Sequence, residues 1–370
     1  MLALISIAAT GLATPCAAQT RRRAGRTAGP ASVRHPPSKA IFEPVNFPLN
    51  WPIDDLFFVD AATGWVSGRG RAGARDGGFI AATRDGGQHW TLQVGGPNRP
   101  TWAIVRLFFL DASHGWAEQI DGTLLRTTDG STWTRIGEIA SLSPVAFTTP
   151  ETGFSFDGAH GIRITTDAGR TWRVAYECRA EIPVMGVPSE QACAPQTLTF
   201  APDHRTGYVV ARVLDWHTAA VIKTIDGGLT WSQASVTTEM SRKDASLAFA
   251  DPFTGYLRIG STLLRTVDGA RTWQPMTATI PDGDPRIAIA GPVGWMIGSQ
   301  DFSYTLDGGK RWLVRQVDFP SPAARFTVLD AGDGYVVGPA MFYRFRIVPF
   351  DYAVPGMLTV PGMTTFVAGY

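Results

Sequence analysis

The chain has 370 residues, 33 Lys and Arg against 32 Asp and Glu, a formal net charge of +1 and 44% hydrophobic residues. So even a balance argues against nonspecific nucleic-acid binding, which needs a basic face, and the apolar share is ample for a core. Forty Gly and 26 Pro, with aromatics spread throughout, point to many short strands and tight turns rather than to disorder.

Residues 1–18 read as a secretory signal. Leu2 to Ala13 is apolar and small, and Cys16-Ala17-Ala18 puts small residues where a cleavage before Gln19 needs them. Two features run against export: no Lys or Arg precedes the apolar run, and Arg21, Arg22 and Arg23 follow it directly. Export to the periplasm or exterior is the reading adopted, with a weak uncleaved anchor as the alternative. Residues 19–39 form a basic, Pro-bearing linker without apolar periodicity, expected to be disordered, and its arginines could touch an anionic membrane surface. Residues 40–370 are expected to form a single domain.

From Trp51 onward two elements alternate. The first is an apolar run, a turn and a Gly-aromatic pair. Leu56-Phe57-Phe58-Val59 leads to Gly64-Trp65, and Leu107-Phe108-Phe109-Leu110 to Gly115-Trp116. The same order recurs at Gly153-Phe154, Gly207-Tyr208, Gly255-Tyr256, Gly294-Trp295 and Gly334-Tyr335, making seven units. The second element is Thr-x-Asp-x-Gly-x-x-Trp, present six times around Asp85, Asp129, Asp167, Asp226, Asp268 and Asp307, the Asp129 copy being one residue shorter. Asp accepts hydrogen bonds from N–H groups just downstream, Gly permits positive φ, and the Thr hydroxyl bonds back into the same turn. These aspartates are therefore expected to be structural. A repeat of about 40–55 residues means propeller blades.

The Thr-x-Asp-x-Gly-x-x-Trp copies resemble the Asp-box, or BNR repeat, of sialidase-like β-propellers, over roughly residues 50–345. The order of apolar strand, Gly-aromatic pair and box is most similar to the photosystem II assembly and stability factor family. The resemblance implies an all-β, seven-bladed propeller of four-stranded antiparallel blades, with each box between strands C and D. Six blades plus an incomplete cap is the alternative. Blade seven lacks a box, and its missing strand is expected from Ala40 to Val45 or from Met363 to Val367. Either would join the chain ends and leave no open sheet edge.

In this fold the boxes mark one face, and the B–C and D–A loops form the other, where ligands bind. That face carries Arg69, Arg71 and Arg75 in blade one, Trp102 before blade two, Trp216 and His217 in blade four, and Arg242 after it. Long loops on one face tend to carry function. The residue before each strand A is expected at the rim of the central channel: Asp55, Arg106, Pro144, Thr197, Ser246, Arg286 and Arg325 in blade order. Ring closure would make the three arginines and Asp55 neighbours, a carboxylate or acidic-peptide site, because Arg offers bidentate donors. The alternative is that each arginine pairs with a local acid. Arg126, Lys223 and Arg265 each precede a box Thr, and a fixed structural role is expected there, pairing with Asp or capping a carbonyl. Cys178 and Cys193, in one insertion from Glu177 to Gln196, are expected to form a disulfide if the chain is exported and to remain two thiols if it is not. No metal-ligand spacing, nucleophile elbow, phosphate loop or cofactor motif is found.

Three functions follow. The first is an exported, non-catalytic, monomeric propeller that binds a protein or acidic peptide, in a membrane complex if it acts like the family it resembles. The second is a sialidase-like glycoside hydrolase, or one of the paired-Asp kind with Asp215 and either Asp282 or Asp284 as its carboxylates. The third is a glycan-binding lectin that stacks sugars on Trp102 and Trp216.

Overall fold

The computed structural model describes residues 38–349, apart from 71–76, 97–98, 100, 141–142, 157–160, 214–216, 238–244, 284 and 330–331. The described residues form seven antiparallel sheets. Taken from the axis outward as strands A to D, blade one is Ile53–Phe58, Gly64–Gly68, Phe79–Thr83 and Thr91–Gly95. Blade two is Ile104–Phe109, Gly115–Gln119, Thr123–Thr127 and Thr134–Glu138. The same order repeats through blades three to six. Blade seven takes Arg325–Val328, Asp333–Gly338 and Met341–Pro349 from the end of the chain and Ser38–Pro44 from its beginning. The ring is thus closed by the N-terminal strand, with Phe42 packed against Phe302, Phe319 and Phe345. Met363–Val367, the other candidate, lies outside the described residues, and the closing strand starts at Ser38, inside the segment read as linker.

Strand B is buried along its whole length in most blades because neighbouring sheets cover both its faces. In blades one, two, four and seven its aromatic residue stacks on the strand-A phenyl ring of the following blade. Trp65 lies 3.7 Å from Phe109, Trp116 lies 3.6 Å from Phe147, and Tyr208 lies 3.6 Å from Phe249, between ring centroids. Tyr335 of blade seven stacks in the same way on Phe58 of blade one, at 4.0 Å. Each such phenyl ring also covers the glycine of its own blade's Gly-aromatic pair. A Cβ on Gly64 would meet Phe58 at 2.3 Å, and one on Gly115 would meet Phe109 at 2.3 Å. Glycine at this position is a packing requirement.

The aromatic residue's polar end then bonds to the next blade's turns. Trp65 Nε1 donates to the Gly130 carbonyl at 3.0 Å and Trp116 Nε1 to the Ala168 carbonyl at 2.9 Å. Tyr256 Oη donates to the Gly308 carbonyl, and Tyr335 Oη to the Gly86 carbonyl at 2.9 Å. The cations expected to have a fixed role lie over these rings: Arg126 over Trp116, Lys223 over Tyr208 and Arg265 over Tyr256. Arg126 and Lys223 also cap carbonyls of the following blade, at Pro150 and Gly269.

The Thr-x-Asp turns are built alike. In blade four the Thr224 hydroxyl donates to Asp226 Oδ1 and accepts the Gly228 N–H, while the Thr230 N–H and hydroxyl donate to Asp226. The Thr230 and Thr272 hydroxyls, then their N–H groups, hold Asp226 and Asp268 at a pKa of about 2.

Two expectations about elements are corrected. The insertion read as a loop from Glu177 to Gln196 folds as a hairpin of Arg179–Val184 with Val187–Phe200, so strand A of blade four begins within the hairpin and pairs with strand B only from Cys193. Cys178 and Cys193 are bonded at its base, and its own Ala180 and Ile182 are buried. Strand A of blades one and two begins two residues before the rim residue, and a bulge intervenes between Ile53 and Asp55 and between Ile104 and Arg106.

The closure bond is testable. Tyr335→Phe removes the hydroxyl bound to Gly86 without disturbing the ring stack, and should cost about 1 kcal/mol in urea unfolding. Unchanged stability would mean that this contact contributes nothing to closing the ring.

Candidate functional site

Seven strand-A entries converge on a cavity of about 700 Å³ on the axis, lined by Asp55, Arg106, Pro144, Thr197, Ser246, Arg286 and Arg325 among others. These are the seven rim positions expected from sequence. In blades one, two and four they follow a bulge, the third lying between Pro195 and Thr197. A bulge turns the next side chain out of the ladder's regular alternation.

Asp55 sits between three blades. Its Oδ2 accepts the Leu107 N–H of blade two at 2.8 Å, and its Oδ1 lies 3.8 Å from Arg325 Nε of blade seven. Burial pushes its pKa above 3.8 against the opposing pull of Arg325, the Leu107 N–H and Arg286. Ser246 occupies the same place in blade five and accepts the Ile287 N–H of blade six at 3.0 Å. This position therefore joins successive blades as well as lining the cavity.

Arg106 is partly buried, and Glu118, directly opposite it on strand B, lies 3.8 Å from its Nε. Burial works against the Arg106 charge and Glu118 supports it. Both acid–arginine separations exceed the 2.7–2.9 Å of a charge-assisted hydrogen bond. They hold the guanidiniums by charge without directed Nε bonds.

Two lining residues were missed in the sequence: Glu118 and Arg258, on strand B of blades two and five, 2% and 1% exposed. Arg258 donates to the Gly260 carbonyl at 3.0 Å. The signal available was a charge inside an otherwise apolar strand, in Gly115-Trp116-Ala117-Glu118-Gln119 and Gly255-Tyr256-Leu257-Arg258-Ile259.

The other predicted site residues that are described do not line this cavity. Arg69 makes a bidentate pair with Asp54 at 2.8 Å through both nitrogens, which is the local-acid alternative. Trp102 is half-buried, and its carbonyl, not its ring, is packed against Gly78. His217 is exposed on the blade-four loop. Arg71, Arg75, Trp216 and Arg242 lie outside the described residues, as do Asp215 and Asp284. Among the described residues no group of three or more His, Cys, Asp or Glu is placed to hold a metal ion.

No protein-family model matches the chain, and no curated protein matches it. Solved structures do. The fold is similar to YCF48 bound to D1 peptide, at 19% identity over 85% of this chain and 98% of that one, with a TM-score of 0.57. It is also similar to YCF48 from Cyanidioschyzon merolae, at 17% identity over 84% and 99%, with a TM-score of 0.59. The GH74 xyloglucanase from Xanthomonas campestris matches at 14% identity and a TM-score of 0.59, over 85% of this chain but 55% of the enzyme. At such identities the shared property is the seven-bladed fold.

Asp55 gives the site a stability signature. A carboxylate whose pKa is raised on folding penalises the folded state as it ionises, so its cost appears as pH rises from the ordinary value through the folded one. Asp55→Asn keeps an acceptor for the Leu107 N–H and abolishes the titration. The stability of the variant relative to wild type should grow as pH rises above the ordinary carboxylate range in urea unfolding. A difference that is flat or shrinks would contradict the burial of an ionising Asp55.

Proposed function

We propose that the protein is an exported, non-catalytic propeller of the Asp-box kind that binds a protein through an acidic segment, as an assembly or scaffold factor does. The observation that carries this reading is the meeting of Arg106, Arg286 and Arg325, from three blades, at one axial cavity. Arg106 and Arg325 are partly buried and Arg286 is exposed, and guanidiniums so placed favour carboxylates, because Arg presents a planar fork of donors and stays charged. Asp55 and Glu118 temper the cluster and hold its arginines in place. A similarly folded protein, YCF48, has been solved with a D1 peptide bound, which supports peptide capture as a use of this architecture. The Cys178–Cys193 bond supports export, since such bonds persist in oxidising compartments.

A second reading is a glycoside hydrolase. It is favoured by the xyloglucanase neighbour and by two carboxylates, Asp55 and Glu118, on one cavity. Hydrolysis of xyloglucan or of an aryl glycoside, lost in Glu118→Gln, would support it.

The binding reading predicts that a labelled Asp/Glu-rich synthetic peptide binds the wild-type protein and is weakened by salt. Arg106→Glu/Arg286→Glu/Arg325→Glu should lower its affinity about a hundredfold or more by fluorescence anisotropy. Equal binding by the folded variant would move the site elsewhere, and no binding by wild type would remove the reading.

A further inference from the structure

The end of the propeller opposite the cavity mouth carries an apolar surface that folding does not explain. Ile225 and Leu229 of the blade-four Thr-x-Asp turn are 67% and 71% exposed. Phe253, in the A–B turn of blade five, is 62% exposed, and Val267, in that blade's Thr-x-Asp turn, is 53% exposed. The turns do not need these side chains. The place of Ile225 is taken by Arg84, Thr128 and Thr166 in blades one to three, and that of Leu229 by Gln88, Arg170, Arg271 and Lys310 elsewhere. Phe253 follows Asp251 by two residues, and its N–H donates to that carboxylate, as the Ala62, Ser113 and Arg205 N–H groups do to Asp60, Asp111 and Asp203.

The four residues stand on turns stitched to one another. The Phe253 carbonyl accepts the Gly269 N–H, two residues beyond Val267. Lys223, two residues before Ile225, donates to the Gly269 carbonyl at 3.1 Å, and Tyr208 Oη donates to the Pro252 carbonyl at 2.6 Å. Exposed cations flank the group: Arg205 and Arg271 in the same two blades, Arg170 and Lys310 to either side. Asp226 and Asp268 are meanwhile held by hydrogen bonds within their own turns.

The chain also enters the propeller at this end. Ser38 pairs with Pro349, the last residue of strand C in blade seven, which is the end where the other blades carry their Thr-x-Asp turns. The segment that joins there contains Arg21, Arg22, Arg23 and Arg26 and the apolar stretch Leu2 to Ala13.

We propose that this end of the propeller rests on a lipid surface bearing anionic headgroups, with Ile225, Leu229, Phe253 and Val267 entering the interface and Arg205 and Arg271 meeting the headgroups. Bulky aliphatic and aromatic side chains ringed by arginine fit the boundary between headgroups and acyl chains, and each cation near an anionic surface adds to the attraction. The cavity mouth, at the other end, would then face away from the bilayer.

Co-sedimentation of the full chain with phosphatidylcholine vesicles, and with vesicles of equal parts phosphatidylcholine and phosphatidylglycerol, tests this. Wild type should bind the mixed vesicles at least about tenfold more tightly than the zwitterionic ones. Ile225→Ser/Leu229→Ser/Phe253→Ser/Val267→Ser should weaken binding to both by about tenfold or more. Arg205→Glu/Arg271→Glu should weaken only the anionic case. All six side chains lie outside the core, so thermal melts should match wild type and exclude misfolding. The proposal fails if wild type sediments with neither vesicle, or if the apolar variant binds as wild type does, which would assign membrane contact to the segment before Ser38. It also fails if the patch drives self-association without lipid in sedimentation velocity, which would assign it to a second copy of the chain. None of these outcomes depends on what the axial cavity binds.

Discussion

A phenyl ring seated on a glycine is the contact on which this propeller depends. In blades one to five the strand-A phenylalanine lies over the glycine that opens strand B of its own sheet, so close that a methyl group would collide with it. Its other face receives an aromatic ring of the preceding blade. The pair fixes how far apart and at what angle successive sheets stand. At Trp65, Trp116, Tyr208 and Tyr335 the indole or phenol also donates to a turn of the next blade and lies under a cation, so these four residues serve stacking, hydrogen bonding and cation–π contact together. Blades six and seven carry Ile289 and Val328 where the others have Phe, and there aromatic packing shifts to a cluster of Phe42, Trp295, Phe302 and Phe345. That cluster includes the residue that the closing strand brings from the other end of the chain.

Closure is also what makes the cavity. Arg106 and Arg325 are far apart in sequence, and they become neighbours because Ser38–Pro44 completes blade seven and Tyr335 bonds to blade one. Inside the ring, the strand-A rim residue both faces the axis and accepts an N–H from the next blade, at Asp55 and at Ser246. At these two positions a change of side chain therefore also alters the seam between blades. Asp55 embodies the conflict: burial disfavours its ionisation, while Arg325, the Leu107 N–H and Arg286 favour it.

Much of this was readable from residue order. Seven apolar strands, seven Gly-aromatic pairs and six turns announce the blades, and one position per repeat identifies the residues that line the axis. The N-terminal strand was one of two candidates for closure, and only the pairing of Ser38 with Pro349 distinguishes them. Bulges were not readable, since an extra residue in one strand leaves no compositional mark. The hairpin of Arg179–Val184 with Val187–Phe200 was hidden because its three prolines and polar residues read as loop, while Ala180 and Ile182, which bury its inner face, are too few to show a period. Glu118 and Arg258 escaped notice because the sequence does not say that strand B is enclosed on both faces, which turns an ordinary charged residue into a buried one. Arg69 points the other way: it looked like a ligand donor until its bidentate pair with Asp54 appeared.

The central claim is that the closed ring turns arginines from separate blades into one acid-binding cavity. A crystal structure of the protein with an acidic peptide bound tests it most directly. The account predicts peptide carboxylates on the axis, within hydrogen-bonding distance of Arg106, Arg286 and Arg325. Peptide density on the hairpin or along an outer blade edge, with the axial cavity left to solvent, would contradict it.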